Sequence, residues 1–292
     1  MKIIDIIKNK KTISFEFFPP KNKKELPKLY ETVDRLSTYN PDFVSFTYGA
    51  GGNTQQLTLE VARDTKIANI TEVMSHLTCV VHTEQEINSI LTELNKNGIE
   101  NIIALRGDNP KDLNIKNELI HATDLISNIK NKFNSFCVAA ACYPETHPET
   151  NNLNEEIKYT KLKQDKGADF LITQLFYDNK DYFKFREESI KNGITIPIIP
   201  GILPIISTSQ IRRFTKLCGS KIPNDLNAKL EKYIDNDTET SKLGIEYATN
   251  QILELIENDV PGIHFYSLNK TKSVGHVLNN LGISSQTPEH II

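Results

Sequence analysis

Short apolar runs alternate with stretches of helical spacing eight times along this sequence, and that alternation limits the folds open to the chain more than anything else in it. The predicted strands are Ser14–Phe18, Asp42–Thr47, Val73–Val81, Asn101–Leu105, Phe136–Cys142, Asp169–Phe176, a seventh from Ile196 to Pro204, and Gly262–Tyr266. Helical spacing covers 23–37, 54–70, 84–97, 118–131, 153–166, 179–192, a longer region of about 207–257 broken near Ile222-Pro223, and 271–281. The strand runs are apolar on both faces, which marks a parallel sheet covered by helices. Eight right-handed βα units close best as a (β/α)8 TIM barrel, which leaves no exposed edge. The 292 residues are read as one domain, since no linker divides them and such barrels run to ~250 residues. An open doubly wound sheet is the runner-up, but Gly49-Ala50-Gly51-Gly52 does not match the dinucleotide fingerprint G-x-G-x-x-G.

Active sites of such barrels lie at the C-terminal strand ends, and polar residues gather there. Glu16 stands in Ser14-Phe15-Glu16-Phe17-Phe18-Pro19-Pro20, an apolar run stopped by two prolines. A carboxylate buried there without a partner would have a raised pKa and suit a general acid; a salt bridge to Lys or Arg is the alternative. Thr47 ends the second strand, His76 lies in the third, and Arg106-Gly107-Asp108 ends the fourth. Tyr143 and His147 follow the fifth, Gln174 ends the sixth, and Tyr266 with Asn269-Lys270 follows the eighth. Gly51-Gly52 allows close backbone approach, and Asn53 or Thr54 can cap the next helix, which suits a phosphate as well as a tight loop.

Composition excludes other classes. Thirty-four Lys and Arg against 37 Asp and Glu give a net charge of -3, which argues against nucleic-acid binding. The four cysteines form no CxxC pair, so a disulfide framework or zinc site is not expected and a reduced interior is. Met1–Lys11 is too short and charged for a signal peptide, and no stretch has the length of a membrane span, so a cytoplasmic protein is expected. His76, His82, Asp108 and His147 lack a recognisable metal-ligand spacing, and no H-x-H ends the first strand. A Schiff-base lysine is also missing from the strand ends; Lys270 lies beyond its strand.

Eight ordered stretches at strand ends resemble methylenetetrahydrofolate reductase of the bacterial type, the catalytic barrel, over essentially the whole chain. They are SFEFFPP (Ser14–Pro20), DFVSFTYG (Asp42–Gly49), SHLTC (Ser75–Cys79), ALRGD (Ala104–Asp108), YPETHPE (Tyr143–Glu149), GADFLITQLF (Gly167–Phe176), IPGILP (Ile199–Pro204) and HFYSLN (His264–Asn269). The resemblance implies a flavoenzyme that reduces 5,10-methylenetetrahydrofolate to 5-methyltetrahydrofolate, supplying methyl groups for methionine synthesis. NADH or NADPH would reduce FAD and depart, and the folate would then take its place, a ping-pong scheme. Glu16 matches the family's general acid, which opens the folate's five-membered ring to an iminium, and Asp108 the carboxylate near flavin and pterin.

Further FAD positions implied are Thr47, Tyr48, Ala50, His76, Arg106 and Gly107, with Asp108 again. Ala122, Tyr143, His147, Glu156 and Lys163 complete them, Arg106 and Lys163 supplying charge for the pyrophosphate. Gln174, Gln210, Phe214, Tyr266 and Lys270 match folate positions; Thr47, Gln174 and Phe214 would also meet the nicotinamide. Lys270 replaces the usual Arg, a point charge for a bidentate grip, and Glu156 replaces Asp. Tyr159 and Leu162 stand where some relatives have polar FAD contacts and are not carried over. A homo-oligomer is expected, and inhibition by adenosylmethionine is not, because the chain ends soon after the eighth barrel helix. Another barrel enzyme, or a flavin- or folate-binding protein without catalysis, is the alternative.

Overall fold

The computed structural model describes residues 1–48, 52–80, 82–107, 118–150 and 152–286, without the side chains of 52–54. In chain order come α1 (Ile3–Asn9), β1 (Thr12–Phe17), a 3-10 turn (Lys23–Glu25), α2 (Leu26–Ser37), β2 (Phe43–Phe46) and α3 (Gly52–Ile67). Next are β3 (Glu72–Thr78), α4 (Glu84–Lys96), β4 (Asn101–Leu105), α5 (Ala122–Lys132), β5 (Cys137–Cys142) and α6 (Leu153–Asp165). Then follow β6 (Phe170–Thr173), α7 (Asn179–Lys191), β7 (Ile198–Ile199) and β8 (Gly201–Ile202). The last elements are α8 (Thr208–Cys218), α9 (Asn224–Glu231), α10 (Asp237–Glu257), β9 (Gly262–Tyr266) and α11 (Thr271–Asn280). All strand pairings are parallel, in the order β7-β6-β5-β4-β3-β2-β1-β9-β8, the order of a barrel cut open at one seam.

That seam is the expected seventh strand, split in two. Ile198 and Ile199 pair with β6, and Gly201 and Ile202 pair with β9. Pro200 stands between them and has no N–H to give the ladder. Its carbonyl still accepts the His264 N–H at 3.0 Å, and the Gly201 N–H turns to the Thr173 hydroxyl at 2.9 Å. β7 and β8 thus act as one strand, and eight barrel strands result, as the alternation requires.

The outer faces of the strands meet the helices through Phe15, Phe17, Val44, Phe46, Leu171 and Phe265, all buried. Elsewhere the differences from the expected boundaries are local. β6 ends at Thr173; the Gln174 N–H still donates to the Cys142 carbonyl at 2.7 Å, and the Gln174 side chain accepts the next residue's N–H, that of Leu175, at 2.8 Å. The long helical region breaks at Pro223, as expected, and again between Glu231 and Asp237, giving three helices.

The one element the sequence reading did not assign is α1. Ile3 and Ile7, four apart, lie on one face of this short helix and pack with Phe43, Met74, Ile103 and Phe170 inside the lower barrel. Asn101 secures it from the first residue of β4: its amide oxygen accepts the Ile3 N–H at 2.8 Å, and its nitrogen donates to the Met1 carbonyl at 3.0 Å. The N-terminal end of the barrel is therefore plugged. No helix among the described residues is long and apolar enough to cross a membrane.

Ile3 is fully buried, so Ile3→Ala is expected to lower the unfolding free energy by about 2–4 kcal/mol in urea titrations. Ile6→Ala, on the half-exposed side of the same helix, is expected to cost less than about 1 kcal/mol.

Candidate active site

The C-terminal strand ends open into a cavity of about 500 Å³. Glu16 reaches it because β1 alternates: Phe15 and Phe17 face the helices, while Ser14 and Glu16 face the barrel interior. Glu16 is 7% exposed and lies in register with Ser45 on one side and Tyr266 on the other. The basic side chains within 4 Å of it among the described residues are two histidines, not a Lys or Arg: His76 Nε2 at 3.4 Å and His264 Nε2 at 3.8 Å, both from Oε2.

These rings differ in surroundings. Burial pushes the His76 pKa down to about 4, an effect His264 reinforces and Glu16 opposes, so His76 is neutral near pH 7. Its Nε2 is buried and has no hydrogen-bond partner. His264 is 1% exposed, its Nδ1 lies 2.8 Å from the Ser14 hydroxyl, and its ring stacks on Phe43 with centroids 5.9 Å apart. Tyr266 meets His264 edge-on and donates its hydroxyl to the Thr173 carbonyl at 2.5 Å. Burial, then Glu16, hold its phenol well above the ordinary range, so it stays protonated. Gly201 makes room for it: a Cβ there would lie 2.5 Å from the Tyr266 ring and from the Thr173 carbonyl. Ser14 and His264 lie in the SFEFFPP and HFYSLN stretches with no role implied by the resemblance; their signal in the sequence is the period-two spacing with Glu16 and Tyr266 in apolar strands.

A second space of about 280 Å³ runs outward between α5 and α6, and Arg106, Tyr143 and His147 line both. Ala122 lines it from the first turn of α5. Lys163 lies across from it; its ammonium donates to the Ala141 carbonyl at 2.8 Å and stands 5.7 Å from the Tyr143 ring centre. Burial lowers its pKa, and Glu156 opposes this. Glu156 is 1% exposed and is used structurally, accepting the His147 N–H at 3.2 Å and the hydroxyls of Thr150 and Thr160 at 3.4 Å. Arg106 grips Glu149 in a bidentate pair, 2.6 and 2.8 Å, so an incoming anion competes with a carboxylate that is itself 61% exposed. Tyr159 and Leu162, set aside in the sequence reading, also line this space.

Thr47, Tyr48, Gln174 and Phe214 line the barrel cavity. The Tyr48 hydroxyl lies 3.1 Å from His82 Nε2. Gly107 lines the cavity at φ +86, where an added Cβ would stand 2.9 Å from Thr78 Cβ. Gln210 and Lys270 are not among the residues lining either space. The Gln210 side chain accepts the Ile206 N–H at 2.9 Å and closes the start of α8, and Lys270 is exposed at the head of α11. Ala50 and Asp108 lie outside the described residues. Among the described residues no three His, Cys, Asp or Glu side chains gather as a metal-holding group.

Fold and site together define a (β/α)8 barrel with a two-chambered ligand cavity at its C-terminal face and a buried carboxylate at the inner end. The family model for methylenetetrahydrofolate reductase matches residues 2–282, and the chain belongs to that family. It is 37% identical to methylenetetrahydrofolate reductase (NADH) 1 of Arabidopsis thaliana, over 98% of this chain and 52% of the relative. Identity to the 5,10-methylenetetrahydrofolate reductases of Salmonella typhimurium and Escherichia coli is 37% and 36%, over 93% of this chain and 90% of each relative. The chain thus spans about half the length of the plant relatives and most of the bacterial ones. An uncharacterised Clostridium thermocellum protein that binds two copies of 5-methyl-5,6,7,8-tetrahydrofolic acid shares the fold, with TM-score 0.69 at 18% identity over 94% of this chain and 96% of that one.

His76 gives a pH signature. Folded, it takes up a proton only near pH 4; unfolded, near 6.5. The unfolded chain therefore binds more protons between these values, and stability falls as pH drops from about 6.5 to about 4. Chemical denaturation is expected to show the stability gap between wild type and His76→Gln shrinking across that window, by on the order of 3 kcal/mol.

Proposed function

We propose that this protein reduces 5,10-methylenetetrahydrofolate to 5-methyltetrahydrofolate with hydride from NADH or NADPH, through FAD. The observation that carries the reading is Glu16: a buried carboxyl that pairs with no Lys or Arg among the described residues, at the inner end of a cavity large enough for flat ring systems. Family membership, and a relative named for NADH, support it.

The residues present fit FAD. His76 offers a buried, unpartnered nitrogen, and Gly107 lines the cavity at a position where any side chain would collide with Thr78. Arg106 and Lys163 would meet the pyrophosphate, Arg106 by releasing Glu149, with Ala122 at the N-terminal turn of α5 and Tyr143 and His147 between the chambers. When bound, FAD supplies the hydride chemistry. Tyr159 and Leu162 give the outer chamber an apolar wall for a flat base.

The chain's own work is binding and proton placement. Phe214 and Tyr266 wall the cavity for the pterin or nicotinamide ring, and Gln174 offers an amide to their polar edges. Glu16 donates a proton to the folate nitrogen whose C–N bond opens, and that nitrogen keeps the bonding pair, leaving the iminium carbon to accept hydride. Asp108 is proposed to stabilise this cation. Nicotinamide and folate occupy the cavity by turns, as a ping-pong scheme requires. Lys270, on the rim, is available to the folate's carboxylate tail as a single charge.

The purified protein is expected to be yellow, to bleach anaerobically with NADH or NADPH, and to regain its colour with methylenetetrahydrofolate. Glu16→Gln is expected to bleach but to lose recovery by about 100-fold or more. A colourless protein with stoichiometric metal would sink the reading, as would flavin that exchanges no electrons.

A further inference from the structure

Ser14, Glu16 and His264 form a closed set where β1 and β9 pair. Ser14 and Glu16 are two apart on β1, and His264 lies directly in register with Ser14. His264 Nδ1 is 2.8 Å from Ser14 Oγ, and its Nε2 is 3.8 Å from Glu16 Oε2. Which ring nitrogen carries the hydrogen therefore decides what Glu16 faces.

The serine settles it. Its one hydroxyl hydrogen has two acceptors in reach, His264 Nδ1 at 2.8 Å and the Ile263 carbonyl at 3.4 Å. The first is an ordinary hydrogen-bond length and the second is at the limit. Donation to Nδ1 leaves that nitrogen bare, so the neutral ring bears its hydrogen on Nε2. The opposite tautomer would leave the serine hydrogen to the poor contact and, once Glu16 has given up its proton, would aim a bare lone pair at the buried carboxylate.

We infer that Ser14 and His264 are positioning residues for Glu16: the serine fixes the tautomer, and the histidine Nε2–H makes Oε2 the acceptor, leaving the transferable proton on Oε1. The inference rests on Glu16 being the acid proposed above. In the proton transfer the Oε1–H bond breaks, its hydrogen goes to the folate nitrogen, and the carboxylate that remains is met by Nε2–H. A gap of 3.8 Å is longer than a hydrogen bond, and catalytic contacts of this kind tighten when substrate binds. Among the described residues the other ionisable groups facing Glu16 are His76 from β3, near the same oxygen, and Tyr266 from β9.

Nitrogen-15 NMR of histidine-labelled holoprotein tests the tautomer, with His264 assigned by its loss in His264→Gln. A bare Nδ1 and protonated Nε2 are expected, with the other tautomer growing in Ser14→Ala; a protonated Nδ1 in the wild type overturns the inference. The carboxylic-acid infrared band absent from Glu16→Gln reports the hydrogen bonding of the Glu16 carbonyl oxygen. Its stretch is expected to move to higher frequency in His264→Leu but to stay near wild type in His264→Gln, whose amide N–H2 stands in for Nε2–H. An unchanged band in His264→Leu overturns it. Flavin reoxidation by methylenetetrahydrofolate is expected to slow in His264→Leu about tenfold more than flavin reduction by NADH. Both spectroscopic tests stand without folate turnover, so a wild type that fails to reduce folate refutes the proposed function and leaves this inference decided by its own measurements.

Discussion

Closure of the sheet at Pro200 is the constraint on which the rest of the structure depends. Closing a parallel sheet into a barrel removes its edges, yet here the closing strand carries a residue that cannot donate to the ladder. The solution divides the work: two residues pair backward to β6, two pair forward to β9, and the Thr173 hydroxyl takes the N–H left over. The same seam shapes the site. Gly201 follows the proline and leaves the space that Tyr266 fills, and the Tyr266 hydroxyl returns to the carbonyl of the same Thr173. Strand closure and cavity wall are one set of bonds.

Polar groups in the cavity are mostly spoken for before any ligand arrives. Arg106 is paired with Glu149, Lys163 with a backbone carbonyl and Glu156 with the turn at His147–Thr150. Such pairing keeps buried charge from being stranded, and it means that an incoming anion exchanges partners rather than filling a void. Among the described residues that line the cavity, the buried His76 Nε2 has no hydrogen-bond partner, and it faces the Glu16 carboxyl at 3.4 Å.

Much of the fold was legible because parallel strands buried on both sides write themselves as continuous apolar runs; β4 and β9 have the bounds read from sequence. α1 was not legible, since seven residues with an aspartate among the isoleucines carry little periodic signal, and its burial depends on a barrel mouth that only the closed fold provides. In the site, Glu16, Tyr143 and Tyr266 could be read from strand-end position, and His76 from its place inside the third strand. Ser14 and His264 could not be ranked, because their importance lies in the register between two strands distant in sequence. Glu156 borders the expected chamber, and its oxygens already accept from the His147 N–H and the hydroxyls of Thr150 and Thr160, contacts that only the folded chain reveals.

The helix seated under the barrel has a consequence for traffic. With Ile3 and Ile7 stoppering the axis from below, the barrel is a blind vessel, and along that axis water and ligands share one doorway. Whatever is used up must back out past the rim that admits its successor, so the vessel empties and fills from the same end. The stopper also keeps bulk water from reaching the Glu16 layer along the axis from underneath, so a property of the first ten residues bears on how dry that carboxyl stays.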